Sequence, residues 1–163
     1  MATWAQFTEE APHVAEVFAR RHAATGKLCF LGTSKADGSP RVSPMEPNIF
    51  EGQLVLLGMP GTLKFKDLGR DPRFELHTAT VDTGLSEGDA KLFGVVGDLR
   101  DMDFHHRFLD HLYQESGFDL RGEVFEPFFV ADLQGGSCIE LDDDRLKITI
   151  WEPGVGEHIV YRN

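Results

Sequence analysis

Apolar positions change their period several times along the chain, and each change marks a new element. Val14, Val17 and Phe18 recur at i, i+3 and i+4, which predicts a helix over residues 8–25. Thr8 is placed to cap it, Glu9 and Glu10 suit its positive end, and Gly26 suits its stop. The period then shortens. Residues 28–33 form an apolar run of strand length, and Asp37-Gly38 turns the chain. Residues 41–50 read as extended, with Pro44 and Pro47 confining them to an edge or a bulged strand. Glu51-Gly52 turns again into a strand over 53–58, so this third of the chain reads as an antiparallel meander. Pro60-Gly61 breaks the pattern, and a short helix is expected over 62–69, stopped by Asp71-Pro72.

Residues 74–81 predict a strand, 82–89 a polar loop, and 90–100 a long strand in which Gly94 and Gly97 mark a bulge or strong curvature. Phe104, Phe108, Leu109, Leu112 and Tyr113 stripe a second helix over 103–116, closed by Gly117. Three further strands are expected, over 127–133, 137–141 and 146–151. The turn Asp142-Asp143-Asp144 joins the last two. Many short strands with tight turns and few helices predict an α+β protein, a barrel with helical inserts. A parallel doubly wound sheet needs long crossovers, which the first three strands lack. At 163 residues, 1–163 reads as a single domain.

Charge narrows the partners. A net charge of −11 argues against nucleic acid, which wants a basic face, and makes any lysine cluster conspicuous. Cys29 and Cys138 lie in apolar runs without metal-ligand spacing, so they read as buried free thiols and no metal is expected. No N-terminal leader pattern and no apolar run of membrane-spanning length is visible, which makes a reducing cytosol the default compartment and a membrane an unexpected partner.

The stretch Gly58-Met59-Pro60-Gly61-Thr62-Leu63-Lys64-Phe65-Lys66 carries the most chemistry. A strand ends, glycines free the backbone and a helix begins, presenting unpaired N–H groups and a positive dipole to an anion. Thr62 adds a hydroxyl, and Lys64 and Lys66 add charge. The same pattern also describes an ordinary capped surface helix, and it does not match a P-loop. His105, His106 and His111 lack the spacing of facing ligands on a helix. His77, in an alternating strand, is open to a ring-facing role or to a merely satisfied one, and Trp151 to a pocket wall or plain core.

In order along the chain, Thr33 to Pro44, Gly61-Thr62-Leu63-Lys64, Asp71-Pro72-Arg73-Phe74 and the strand from Lys91 to Gly97 resemble the pyridoxamine 5′-phosphate oxidase-like flavoprotein superfamily. Asp144-Arg145-Leu146 and Trp151-Glu152-Pro153-Gly154 resemble its actinobacterial members of unassigned function. The resemblance implies a six-stranded antiparallel split β-barrel with peripheral helices, a homodimer, and a cofactor at the dimer interface. The cofactor implied is FMN or, alternatively, the deazaflavin coenzyme F-420. By the same resemblance its phosphate would meet Thr62, Leu63 and Lys64, with Lys66 in support. Arg41, Val42, Ser43 and Pro44 would lie along the ring and ribityl chain, and Leu57 and Gly58 near the ring. Lys91 would face the cofactor from the partner subunit. Leu63 stands where the family turn carries an arginine. The late tryptophan and arginine-histidine signature of the vitamin-B6 oxidases is absent after Phe128. An oxidoreductase moving hydride through the flavin N5 is the leading expectation. A flavin-binding or stress-associated module without turnover and an empty barrel are the alternatives.

Overall fold

The computed structural model describes residues 2–163. Its first surprise lies in the N-terminal helix, which is two helices, α1 (Trp4–Glu10) and α2 (Pro12–Ala24). Ala11 leaves helical geometry, and Pro12, lacking an N–H, opens the second helix at the position that tolerates it. Thr3, not Thr8, is the cap, in a reciprocal box with Gln6; the Thr8 hydroxyl donates within the helix to the carbonyl of Ala5. Gly26 takes the positive φ expected of it.

Next come β1 (Cys29–Ser34), β2 (Pro40–Met45), β3 (Asn48–Phe50), β4 (Gln53–Val55), α3 (Leu63–Arg70) and β5 (Arg73–Thr78). They are followed by β6 (Asp89–Asp98), α4 (Met102–Ser116), β7 (Phe129–Asp142), β8 (Arg145–Glu152) and β9 (Gly156–Arg162). All nine strands belong to one antiparallel sheet with the order β2-β1-β5-β6-β7-β4-β3, and β8 and β9 continue from the far half of β7. The expected α+β class therefore holds, but the sheet has nine strands rather than six.

The sheet order also corrects the meander. β2 and β3 are the two ends of the strand path, yet only Glu46 and Pro47 lie between them. Three backbone steps span at most about 11 Å. The sheet must therefore curl until its edges approach, leaving an open seam where β2 and β3 are joined but not paired. Pro44 sits on that edge strand, where a missing N–H costs no ladder bond.

Two further differences have clear causes. The two strands expected over 127–133 and 137–141 are one long strand, β7, because Gly135 and Gly136 let it pass closely beneath its neighbour. A Cβ on Gly135 would come within 2.4 Å of the Phe93 ring, and one on Gly136 within 2.6 Å of Leu92. The expected bulge is real, with the β6–β7 register slipping between Phe93 and Gly94. β9 was not anticipated, because its outward residues alternate with charges and carry no clear apolar period.

The main core gathers Phe7, Phe18, Leu31, Leu76, Leu92 and Trp151 between α1, α2 and the sheet. A smaller one under α4 joins Phe104, Phe108 and Leu109 to Phe125, Phe128 and Val55. Trp151 is fully buried against Phe7 and donates its indole N–H to Glu10, so its ring belongs to the core. No helix among the described residues is long and apolar enough to cross a membrane.

Candidate functional site

The seam brings three segments together: the end of β2, the stretch after β4, and the C-terminal end of α4 with the loop behind it. Between them lies a cleft of about 890 Å³. Four residues singled out in the sequence line it: Pro44, Leu57, Gly58 and Lys64. Lys27, Met45, Glu46, Asn48, Glu115 and Phe125 complete much of the wall. No local pattern announced these residues, because the sheet order alone brings them from distant parts of the chain.

Gly58 is built into the site. A Cβ there would stand 2.8 Å from the Phe65 ring, so its absence lets α3 seat against the segment after β4. Gly61, at φ +79°, turns the chain into Thr62 and α3. Thr62 has the extended backbone of a cap, but its hydroxyl bonds to none of the helix N–H groups. That oxygen is enclosed and has no hydrogen-bond partner. The N–H groups of Leu63, Lys64 and Phe65 are too early to be paired within the helix, whose first such bond runs from Lys66 to Thr62.

Charge around the cleft is largely spoken for. Lys27 donates to Glu115 and to Asn48. That contact holds the Glu115 carboxyl below its ordinary range, against the opposing effect of burial. Lys64 donates to the carbonyl of Pro44 at 2.9 Å. Among the described cleft residues, Lys64 is the cation not bound to a carboxylate. Lys66, two positions on, is exposed and points to a different side of the helix. Leu63 is 57% exposed and packs into neither core.

The four β2 residues do not share a face. Arg41, Ser43 and Met45 pair with Thr33, Leu31 and Cys29, the buried side of β1, whereas Val42 and Pro44 stand on the outer side with Gly32 and Phe30. Arg41 is committed to the interior. Its Nε donates to Asp67 at 2.6 Å, and Thr33 and Arg70 donate to the same carboxylate. Arg41 above all holds the Asp67 carboxyl below its usual range. Lys91 lies elsewhere, on the outer face of β6 beside His77, facing Glu75 at 3.5 Å. It lines a second concavity of about 470 Å³ formed by β6, β7 and β8. His77 is half-buried there, with Nδ1 2.6 Å from its neighbour's carbonyl. His105 is spent structurally, stacked on Phe128 at 4.0 Å and bonded to the Leu99 carbonyl.

A curled antiparallel sheet with an open seam and helices outside it is a fold this chain shares with solved proteins, a pyridoxamine 5′-phosphate oxidase-related one among them. A pyridoxamine 5′-phosphate oxidase-related, FMN-binding protein from Nostoc punctiforme superposes with a TM-score of 0.63 at 13% identity, covering 93% of this chain and 95% of that one. A heme-binding protein from Mycobacterium smegmatis gives 0.61 at 21% identity, covering 85% of this chain. This chain spans 58% of the length of that protein. PhzG from Burkholderia lata, solved with tetrahydrophenazine-1-carboxylic acid, gives 0.61 at 12% identity over 89% and 90% of the two chains. No family model matches the sequence, and no curated protein matches it.

Proposed function

We propose that the cleft binds a phosphorylated flavin, FMN or the deazaflavin coenzyme F-420, with its phosphate at the turn formed by Gly61, Thr62 and Leu63. One observation carries this reading. The cleft cation without a carboxylate, Lys64, stands beside helix N–H groups and a threonine hydroxyl that all lack partners. An enclosed hydroxyl without a bond is costly unless something takes it up, and a phosphate is the acceptor for which helix starts are suited. The FMN-binding neighbour of the same fold supports the choice.

When bound, such a cofactor supplies two-electron hydride chemistry at its ring, which makes an oxidoreductase the leading assignment. The chain's own residues have positional work. Lys64 exchanges the Pro44 carbonyl for a phosphate oxygen, a stronger, charge-assisted contact. Leu57 and Phe125 give the ring an apolar wall that excludes water. Pro44 and the β2 backbone bound its edge, while Arg41 stiffens β2 through Asp67 rather than touching the cofactor.

A homodimer belongs to the same proposal. Pro44 lines the cleft and lies on the outer row that runs through Phe30, His77 and Lys91. The cleft therefore opens onto this face, and a second copy laid against it would bring its own Lys91 toward the cofactor.

Titration of the purified chain with FMN and with F-420, followed by absorbance, tests the reading. Binding of one of them at low-micromolar Kd or tighter is expected. Failure of both below about 1 mM, roughly −4 kcal/mol, would reduce the protein to an empty barrel. Anaerobic reduction of the bound cofactor then separates enzyme from binding module. Reoxidation by a carbonyl or alkene acceptor supports turnover, and its absence across a panel supports storage or sensing.

A further inference from the structure

Outside the cleft lining, α2 meets the far half of β7. His13 from the first turn of α2 reaches Glu140 on β7, with Nε2 2.6 Å from Oε2. Cys138 lies two residues before Glu140 on the same strand face, and its Sγ joins them. All three donor atoms lie within 4.8 Å of one another. We infer that His13, Cys138 and Glu140 form a binding site for a borderline-soft divalent cation of the zinc type.

The donor set is what such an ion selects: one thiolate, one imidazole and one carboxylate. Ordinary Zn–S and Zn–N lengths put tetrahedral ligand atoms about 3.5 Å apart, so ion binding opens the 2.6 Å His13–Glu140 contact and draws the Cys138 sulfur, within 4.8 Å of both, inward. Depth is graded suitably. Cys138 is fully buried, whereas His13 and Glu140 are partly exposed, leaving an entry path and a fourth position for water. Opposite Cys138 across the β7–β8 ladder stands Thr149, 2% exposed, whose hydroxyl is the polar neighbour of the thiol. Bound, the ion neutralises two negative ligands in a chain that carries a net −11 and ties the first helices to the sheet.

Cobalt(II) reports this site directly. The chelator-treated, reduced full chain is titrated with cobalt(II) and then with zinc(II) as competitor. One cobalt per chain is expected, with a thiolate-to-metal charge-transfer band in the near ultraviolet that zinc abolishes, and a rise in Tm with zinc. Cys138→Ser should remove the band, Cys29→Ser should keep it, and Glu140→Gln should weaken affinity at least tenfold. Glu140 is partly exposed, so the last variant keeps the test open if the cysteine variant does not fold. No band at millimolar cobalt, a band that survives Cys138→Ser, or unchanged affinity in Glu140→Gln would overturn the site. FMN binding is read at a different wavelength and with metal absent, so the two outcomes are independent.

Discussion

Leu63 is the residue at which this chain departs most visibly from the turn it resembles. Its exposure means that Leu63→Arg disturbs no packing. Tm should stay within a degree or two of wild type, while FMN affinity should tighten about tenfold through an added charge-assisted contact. The gain should shrink as salt is raised, and titrations at low and high ionic strength check it. Asp67 makes a different prediction. Its carboxyl is lowered in the folded state, first by Arg41, so its contribution is fully present above the unfolded value of about 3.9 and is lost as pH falls through the lower folded value. Urea denaturation of Asp67→Asn should therefore differ most from wild type at neutral pH, and the two curves should converge as pH falls through the lowered folded value. The chemistry-bearing turn was legible in the sequence because glycine, threonine and lysine are adjacent there. The Arg41–Asp67 network and the His13, Cys138 and Glu140 group were not, since each joins residues dozens of positions apart that no local spacing relates.

Among the elements, β6 and β7 bear the tightest geometry. A Cβ on Gly94 would meet the Asp132 carbonyl at 2.0 Å, a clash with backbone that cannot move without breaking the bulge. Gly94→Ala should cost about 2–3 kcal/mol or more in chemical denaturation. Gly135→Ala meets only the far end of the Phe93 ring, which is 45% exposed and free to swing, so it should cost about 1 kcal/mol or less. Equal losses would mean that the bulge does not carry the strain assigned to it. Strand and helix identities followed closely from period and turn residues, as at β1, α3, β6 and α4. What sequence period could not supply was pairing: a Glu46-Pro47 link reads like a continuation of one strand, yet it steps from one end of the sheet to the other. The continuity of β7 past Gly135-Gly136 was likewise decided by packing partners rather than by propensity.

At the scale of the molecule, the outer face of the sheet is the feature left without a covering. Val42 at 72% exposure, Phe30 and Phe93 stand across neighbouring strands, with Ile148 and Ile150 farther along. Under the proposed dimer, these apolar side chains on a water-facing sheet are what a second copy would cover. Sedimentation at micromolar concentration is expected to give twice the 18.2 kDa chain mass, and Val42→Asp with Phe93→Asp should shift it to monomer and weaken cofactor binding together. A monomer with undiminished FMN affinity would leave the cleft complete in one chain and remove Lys91 from the site.

The most direct measurement is the ratio of FMN to riboflavin affinity in wild type and in Lys64→Ala. The two ligands share the ring and differ by the phosphate. With Lys64 as the phosphate cation, a charge-assisted contact of about 1.5–3 kcal/mol is lost, and FMN binding should weaken roughly tenfold to a hundredfold or somewhat more. Riboflavin should bind both proteins equally. If Lys64→Ala weakens both ligands by the same factor, the phosphate does not lie at the start of α3 and the assignment of the cleft is wrong.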